Sequence, residues 1–159
     1  MTDNNSRFLT AIFCDDIRYE KGDKESYVGC YLQENLFVPS VPVGLARFCI
    51  HAVAYTSTDN PYRSLTFRVV RDGDQEVARI EIPKDILNVR ENFTNETTQR
   101  MTVSSSFFFA PLLIEQNMVL RVLADTEYGV LSGPQLFFRI APDRIPEELK
   151  IPHIPPHLP

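Results

Sequence analysis

Carboxylate side chains that could hold a cation recur at the ends of the apolar runs in this sequence. Asp15 and Asp16 follow the first run, and further candidates in turn-like positions are Asp59, Asp72, Asp74 and Asp125. A hard cation such as calcium needs several carboxylate or carbonyl oxygens at about 2.3–2.6 Å. These aspartates lack the ordered spacing of a dedicated calcium loop, so we interpret them as turn and capping residues and expect no metal requirement.

Cys49 and His51 are a second candidate for a reactive or metal-binding pair. A thiol beside an imidazole could be a nucleophile with its base, or half of a zinc site. Any two residues two apart on a strand share a face, so the spacing carries little information and we interpret the pair as structural. Cys14, Cys30 and Cys49 form no C-x-x-C pair, and we expect all three to be buried thiols in a reducing compartment.

Further catalytic and ligand-binding patterns are missing from the sequence. The run of serines at 104–106 lacks the flanking glycines of a hydrolase nucleophile elbow. The six glycines form neither a G-x-G-x-x-G nor a G-K-[ST] stretch, which a phosphate-binding loop would need. A net charge of -5 with scattered arginines argues against a nucleic-acid binder. We therefore expect no catalytic residue, no cofactor and no nucleic-acid partner.

Apolar residues outside the obvious core positions are the stronger functional candidates. In the run at 107–109, alternation sends Phe107 and Phe109 into the core and leaves Phe108 for a partner. A second apolar patch lies in a proline-punctuated loop and consists of Phe37, Val38, Val41 and Val43. From these two places we expect Phe37, Val38, Val41 and Phe108 to contact a protein partner.

The elements that carry these residues follow from apolar side chains that recur at every second position, as in half-buried strands. Such runs lie at residues 8–14, 17–20, 27–32, 45–55, 65–69, 77–82, 101–109, 118–124 and 135–140. A turn at residues 21–24 predicts that 8–14 pairs with 27–32 in a hairpin that includes 17–20. Asp72-Gly73-Asp74 predicts a second hairpin. About eight or nine short strands indicate an all-β fold, and we prefer an antiparallel β-sandwich with short helical turns at 83–89 and 146–150.

The core is predicted from the side of each run on which the apolar residues lie. In the run at 45–55 this side carries Ala46, Phe48, Ile50, Ala52 and Ala54. The residues expected to form the centre of the core are Phe48, Ile50, Phe67, Val69, Phe107, Phe109, Leu120, Val122, Leu136 and Phe138. A chain of 159 residues typically buries about 70% of its unfolded surface, so one sizeable core is possible.

A change of composition at residue 143 divides the chain into a β-sandwich domain at residues 1–142 and a proline-rich tail at 143–159. The prolines of the tail favour an extended, polyproline-like backbone. Between them stand Ile145, Ile151, Ile154 and Leu158, whereas a solvated tail more often carries charge. We expect Ile151, Ile154 and Leu158 to dock on the domain or on a neighbouring subunit; a free tail is the alternative.

The sequence gives no sign of export or of membrane insertion. No stretch of about 18 uncharged apolar residues is present, and the first residues lack the basic and apolar regions of a signal peptide. We therefore expect a cytoplasmic protein without membrane contact.

Residues 12–31, IFCDDIRYEKGDKESYVGCY, resemble the start of an uncharacterised family of bacterial and phage proteins. That family opens with a strand, the pattern FCDDIR-x-E, a short turn and S-x-x-G-x-Y. The likeness covers about the first fifth of the chain and continues as a strand pattern that includes P-L-x-I at residues 111–114. The resemblance implies a compact sandwich of bacterial or phage origin, and it assigns no active residue.

These observations favour a non-enzymatic binding or assembly module that self-associates or holds a protein partner. A cation- or small-ligand-binding sandwich is the first alternative, and an enzyme of unrecognised type is the second.

Overall fold

Alternating apolar and polar residues form strands along most of this chain in the computed structural model. The structure describes residues 7–88 and 100–141. Its elements are β1 (Phe8–Cys14), β2 (Asp16–Glu20), β3 (Lys24–Val28), β4 (Asn35–Val38), β5 (Val43–Leu45), β6 (Phe48–Ser57), β7 (Leu65–Arg71), β8 (Gln75–Glu81), α1 (Lys84–Asn88), β9 (Arg100–Phe109), β10 (Leu112–Ile114), β11 (Met118–Thr126) and β12 (Gly129–Ile140). The expected all-β fold is confirmed. The five residues of α1 are too few to cross a membrane, and no other helix is found within the described residues.

Two larger sheets and two small ribbons make up these residues. The three-stranded sheet has the order β1-β6-β9, and the five-stranded sheet has the order β4-β12-β11-β7-β8. The ribbons are β2-β3 and β5-β10. The described residues contain twelve strands, more than the expected eight or nine, because β4, β5 and β10 are too short to show alternation. The antiparallel expectation also fails at one pair, since β4 runs parallel to β12.

The inner faces of the two larger sheets share one apolar core. Phe48 of the three-stranded sheet is fully buried, and its ring centroid lies 5.6 Å from that of Phe138 in the five-stranded sheet. On its own side of the core, Phe48 packs against Phe13 and Phe109. Nine of the ten predicted central residues are buried, and Phe109 is partly buried against them. Two sheets around one core are the arrangement that a sandwich requires.

The pairing of β1 corrects the predicted first hairpin. The turn at residues 21–24 joins β2 to β3, with Asp16 opposite Val28 and Glu20 opposite Lys24. The strand β1 pairs with β6 along its whole length, and the predicted pairing with 27–32 is found at its end, where the Tyr31 amide donates to the Phe13 carbonyl. The pairing with β6 buries Leu9 and Phe13 in the core, which a two-stranded hairpin could not do. The second hairpin is as predicted, because β7 pairs with β8 across Asp72-Gly73-Asp74.

The predicted strand at 45–55 is two strands. The strand β5 ends at Leu45 and β6 begins at Phe48, so Ala46 lies between them and is exposed, contrary to prediction. From Phe48 onward the predicted inner face is correct, and Ile50, Ala52 and Ala54 are fully buried. The predicted helical turn at 83–89 is α1 as far as it is described, whereas the turn at 146–150 lies outside the described residues.

Candidate functional site

The outward side chains of β1, β6 and β9 form a regular grid. The register of the three strands gives four rows of three, which are Cys14-Cys49-Phe108, Ile12-His51-Ser106, Thr10-Val53-Ser104 and Phe8-Tyr55-Thr102. We call these twelve residues the outer face. Because side chains alternate along a strand, all twelve point away from the core that Phe13, Ile50 and Phe107 fill. None of these twelve positions holds Asp, Glu, Lys or Arg.

The outward side of the five-stranded sheet is of a different kind. Arg68 forms two hydrogen bonds with the carboxylate of Asp125, at 2.6 and 2.7 Å. Arg121 donates to Gln135 on the neighbouring strand, and Arg79 pairs with Glu76. Strands of this domain that face water therefore carry charged side chains in the usual way. The uncharged outer face is a local property of one sheet and does not reflect the composition of the chain.

One half of the outer face is open. The ring of Phe8 stacks on that of Tyr55, with centroids 4.4 Å apart, and Phe8 is still 38% exposed. Ile12 is 37% exposed on the same strand, and Thr10 lies exposed between them. Ser104 and Thr102 complete this half with small hydroxyl groups. The open half is thus a flat surface of rings, one aliphatic side chain and hydroxyls.

Phe108 occupies a corner of the same face. It is 45% exposed, and its position opposite Cys49 agrees with the predicted outward orientation. The guanidinium of Arg47 lies 5.5 Å from the Phe108 ring centroid and forms an ion pair of 3.0 Å with Asp16. This cation covers the ring from one side and leaves the rest of it accessible.

The ribbon β2-β3 covers the other half. Ile17 of β2 is buried in a small cluster with Cys14 and Cys49, and Tyr27 of β3 packs against that cluster. The Tyr27 ring also lies 5.2 Å from the ring of His51. Because these contacts hide Cys14, Cys49 and His51, the ribbon covers this half of the outer face.

His51 has polar partners under this cover. Its Nδ1 lies 2.9 Å from Ser106 Oγ and 3.4 Å from Glu25 Oε2, and Tyr27 donates its hydroxyl to the same carboxylate. Burial lowers the pKa of His51, and the charge of Glu25 opposes that shift. In a serine hydrolase the base contacts the nucleophile and the acid through different ring nitrogens. Here Ser106 and Glu25 both contact Nδ1, so the three side chains do not have the arrangement of a catalytic triad.

The motif residues behind the family resemblance hold the ribbon in place. Tyr31 donates its hydroxyl to the carboxylate of Asp15. Gly29 has a φ of +66°, and a Cβ at this position would collide with the same carboxylate. Ser26 donates to Glu20 at 2.9 Å across the ribbon. The pattern FCDDIR-x-E…S-x-x-G-x-Y therefore has a structural meaning in this chain, as contacts that join the two strands of the ribbon and bind the segment after β3 to Asp15 at the end of β1.

The residues predicted for partner contact are not brought together. Val38 is only 4% exposed and belongs to the core, because the pairing of β4 with β12 turns it inward; a partner could not reach it. Phe37 and Val41 are partly buried, and Val41 packs against the core. The predicted patch at 37–43 is therefore not one exposed surface. Ile151, Ile154 and Leu158 lie outside the described residues.

The candidate cation ligands are dispersed, and four of the six have protein partners. Asp15 binds Tyr31 and Asp16 binds Arg18. Asp72 accepts a hydrogen bond from the Val119 amide at 3.0 Å, and Asp125 holds Arg68. In the part of the chain that the structure describes, no three His, Cys, Asp or Glu side chains are grouped as metal ligands. The prediction of three buried thiols is wrong for Cys30, which is exposed.

Sequence reasoning missed the outer face as a unit. Its signal was present, since residues 8, 10 and 12, 53 and 55, and 102 and 104 are uncharged at every second position. What could not be read from alternation is that these three runs are neighbours, because β1 and β9 reach β6 from distant parts of the chain.

Comparison with known proteins finds no family model that matches this sequence, and no significant similarity to a curated protein or to a solved structure.

Proposed function

We propose that this chain is a non-enzymatic binding or assembly module that acts through protein–protein contacts, with the part of the outer face that the ribbon leaves open as its contact surface. The observation that carries the proposal is the absence of Asp, Glu, Lys and Arg from the positions of this open part. Covering a charged side chain costs its hydration energy, whereas an uncharged face can be covered without that cost. Cores of protein interfaces are depleted in charge for this reason.

Exposed rings at both ends of the face add to this support. Phe8 with Tyr55 lies at one end, and Phe108 lies at the corner of the opposite end. Aromatic side chains supply much of the binding energy in interfaces because they bury a large area with few rotatable bonds. The hydroxyls of Thr10 and Ser104 between them can hydrogen-bond to a partner. The partner surface that fits best is therefore apolar or neutral.

The alternatives have less support. A cation site would need several free carboxylates in one place. The carboxylates of Asp15, Asp72 and Asp125 lie apart, and each is bound by a protein group. An enzyme that uses His51 as its base would need this side chain exposed, and His51 is buried with two partners on one nitrogen. No observation on the described residues favours either function over protein binding.

A cytoplasmic location and a bacterial or phage origin form part of the proposal. The location is supported by three cysteines that remain free thiols in the described structure. The origin rests on the resemblance of residues 12–31.

Site-specific photo-crosslinking in the native cell tests the proposal. A photoreactive phenylalanine analogue is placed at position 104 of the outer face, and, as the matched control, at position 132, which is an exposed serine of β12 in the five-stranded sheet. We expect a covalent protein adduct from position 104, identified by mass spectrometry as a second copy or another protein, and none from position 132. Equal adducts from both positions, or adducts from position 132 alone, would reject the outer face as the contact surface.

A further inference from the structure

Backbone contacts bring the three cysteines of this chain to neighbouring positions. Cys14 is the last residue of β1 and stands directly opposite Cys49 of β6. On the other side of β1, the Tyr31 amide donates to the Phe13 carbonyl at 2.8 Å. Gly29 lies against Asp15. Cys30, between Gly29 and Tyr31, is therefore the neighbour of Cys14, which lies between Phe13 and Asp15.

The backbone decides which neighbour suits a bond to Cys14. The Phe13 carbonyl and the Asp15 amide both point toward the segment at 28–31, where they bond Tyr31 and Val28. Along an extended strand, the amide and carbonyl of the next residue point the other way, so those of Cys14 face β6. Cys14 thus occupies a hydrogen-bonded position opposite Cys49 and makes no backbone hydrogen bond toward Cys30. The segment that carries Cys30 is irregular beside it, because Gly29 has a positive φ and the Asp15 amide bonds the Val28 carbonyl. Side chains at positions without a backbone bond between them lie closer together than those of hydrogen-bonded pairs, which favours the short Cβ separation of a disulfide.

The two thiols of this pair differ in access. Cys30 is exposed, whereas Cys14 is fully buried beneath Ile17 and Tyr27 of the ribbon. Burial, together with the nearby Cys49 and Cys30, raises the pKa of Cys14 to about 12. A dissolved disulfide therefore meets Cys30 first, and Cys14 follows as a slow nucleophile because little of it is thiolate.

We propose that Cys30 and Cys14 form a thiol–disulfide site that reacts with a low-molecular-weight disulfide such as oxidised glutathione. In the first step the Cys30 thiolate attacks one sulfur of the dissolved disulfide. The disulfide bond breaks, a mixed disulfide forms on Cys30, and the other half of the dissolved disulfide leaves as a reduced thiol. In the second step Cys14, after losing its proton to solvent, attacks the Cys30 sulfur. The mixed disulfide breaks, a second reduced thiol leaves, and a Cys14–Cys30 bond forms. The two cysteines are oxidised by two electrons and the dissolved disulfide is reduced by two.

The bond would tie the end of β1 to the segment that follows β3. Both ends of the ribbon β2-β3 would then be joined to the sheet by covalent bonds, in addition to the contacts of Ile17 and Tyr27 with the outer face. Reduction would remove the added bond. This inference concerns the covered half of the outer face and does not depend on the proposed function.

Oxidation of the full chain followed by mass spectrometry tests the site. The chain is incubated with oxidised glutathione, the remaining thiols are alkylated in denaturant, and the peptides are mapped. We expect one Cys14–Cys30 bond and one alkylated thiol, at Cys49. Between pH 7 and 10 the second step should become about tenfold faster per pH unit, since the thiolate fraction of Cys14 rises tenfold.

Three variants separate the steps. Cys14→Ala should stop at a persistent glutathione adduct on Cys30, and Cys30→Ser should show neither adduct nor bond. Cys49→Ala is the control, and it should still form the Cys14–Cys30 bond. A Cys14–Cys49 bond, or an adduct on the parent chain that never resolves, would overturn the proposal. If circular dichroism shows that Cys14→Ala does not fold, the exposed Cys30→Ser variant decides, because an intrachain bond that survives in it contradicts the assignment.

Discussion

The ring of Phe8 on β1 lies almost parallel to that of Tyr55 on β6, with 9° between their planes. The guanidinium of Arg100 lies 5.6 Å from the Phe8 centroid at the edge of the outer face. Stacked rings bury area against each other, yet Phe8 keeps more than a third of its surface in contact with solvent. Charged residues are the usual occupants of strand positions that face water. The relationship therefore fits a face that a partner covers.

Arg7, the residue before β1, should be a major determinant of stability. Its side chain is fully buried, bonds Glu127 at 2.8 Å and lies between the rings of Tyr62 and Tyr128. We expect Arg7→Met to lower the free energy of unfolding by about 3–5 kcal/mol, because it leaves the carboxylate of Glu127 without its main partner in a partly buried site. Denaturant unfolding measures this loss.

The double variant Arg7→Met with Glu127→Gln should recover part of that stability, since no unpaired charge remains. Arg79→Met is the control, because Arg79 forms an exposed ion pair with Glu76 and its loss should have no measurable effect. An Arg7→Met chain as stable as the parent would show that the ion pair and the two ring contacts are not needed.

Phe138 and Phe107 test the two sides of the core. Phe138 is fully buried in the five-stranded sheet and Phe107 is buried in the three-stranded sheet. Truncating either side chain to alanine should cost about 3–5 kcal/mol of unfolding free energy, because it removes packing area and leaves a cavity. Phe108→Ala, one position from Phe107 on the outer face, is the matched control and should cost much less. Equal losses at positions 107 and 108 would show that the register of β9 is wrong.

The parts of the fold that local pattern determines could be predicted. The Asp72-Gly73-Asp74 hairpin follows from turn chemistry, since Asp72 and Gly73 both take positive φ values, of 50° and 106°. The inner face of β6 follows from alternation alone. In contrast, β1 pairs with β6 across more than thirty residues, and Val38 is buried only because β4 lies parallel to β12. Long-range pairing depends on the total burial that each arrangement achieves, which no single segment encodes.

The candidate site was partly predictable for the same reason. Alternation gave the outward orientation of Phe108, which the structure places on the outer face. It also suggested that Cys49 and His51 share a face, but it could not reveal that Glu25 and Tyr27 of the ribbon would cover them. The neighbourhood of Cys14 and Cys30 likewise depends on a register that only the folded chain defines.

His51 should make stability depend on pH near neutrality. Burial lowers its pKa below the ordinary value of 6.5, so the unfolded chain binds the proton first as the pH falls. The free energy of unfolding should therefore be highest above pH 6.5 and decrease as the pH falls through 6.5 toward the lower folded pKa. Unfolding curves measured from pH 7.5 to 5.5 test this sign.

His51→Gln keeps a hydrogen-bonding group near Ser106 and should flatten that profile. Glu25→Gln removes the charge that raises the pKa of His51, so its profile should be steeper than that of the parent. A parent chain whose stability increases as the pH falls from 7 to 6 would contradict the assignment.

The proline-rich tail at 143–159 is predicted to dock, and a chain shortened to end at Pro142 tests this. If the tail docks across a subunit boundary, the shortened chain should lose self-association, measured by light scattering, and keep its fold. If the tail docks on its own domain, the shortened chain should melt at a lower temperature with an unchanged oligomeric state. The full chain with Ile151, Ile154 and Leu158 changed to serine should reproduce whichever loss occurs. An unchanged mass, melting temperature and partner binding in both variants would show that the tail is inert.

The most direct measurement on the central claim compares the same substitution on the two sheets. Ser104→Lys places one charge on the outer face, and Ser132→Lys places the same charge on an exposed strand position of the five-stranded sheet. For the complex identified by crosslinking at position 104, we expect Ser104→Lys to raise the dissociation constant at least about tenfold, which corresponds to about 1.4 kcal/mol of binding free energy. The reason is that the added charge loses its hydration when the partner covers it. Ser132→Lys should bind as the parent does. Unchanged binding by Ser104→Lys in a folded chain, or an equal loss from Ser132→Lys, would contradict the outer face as the surface through which this protein works.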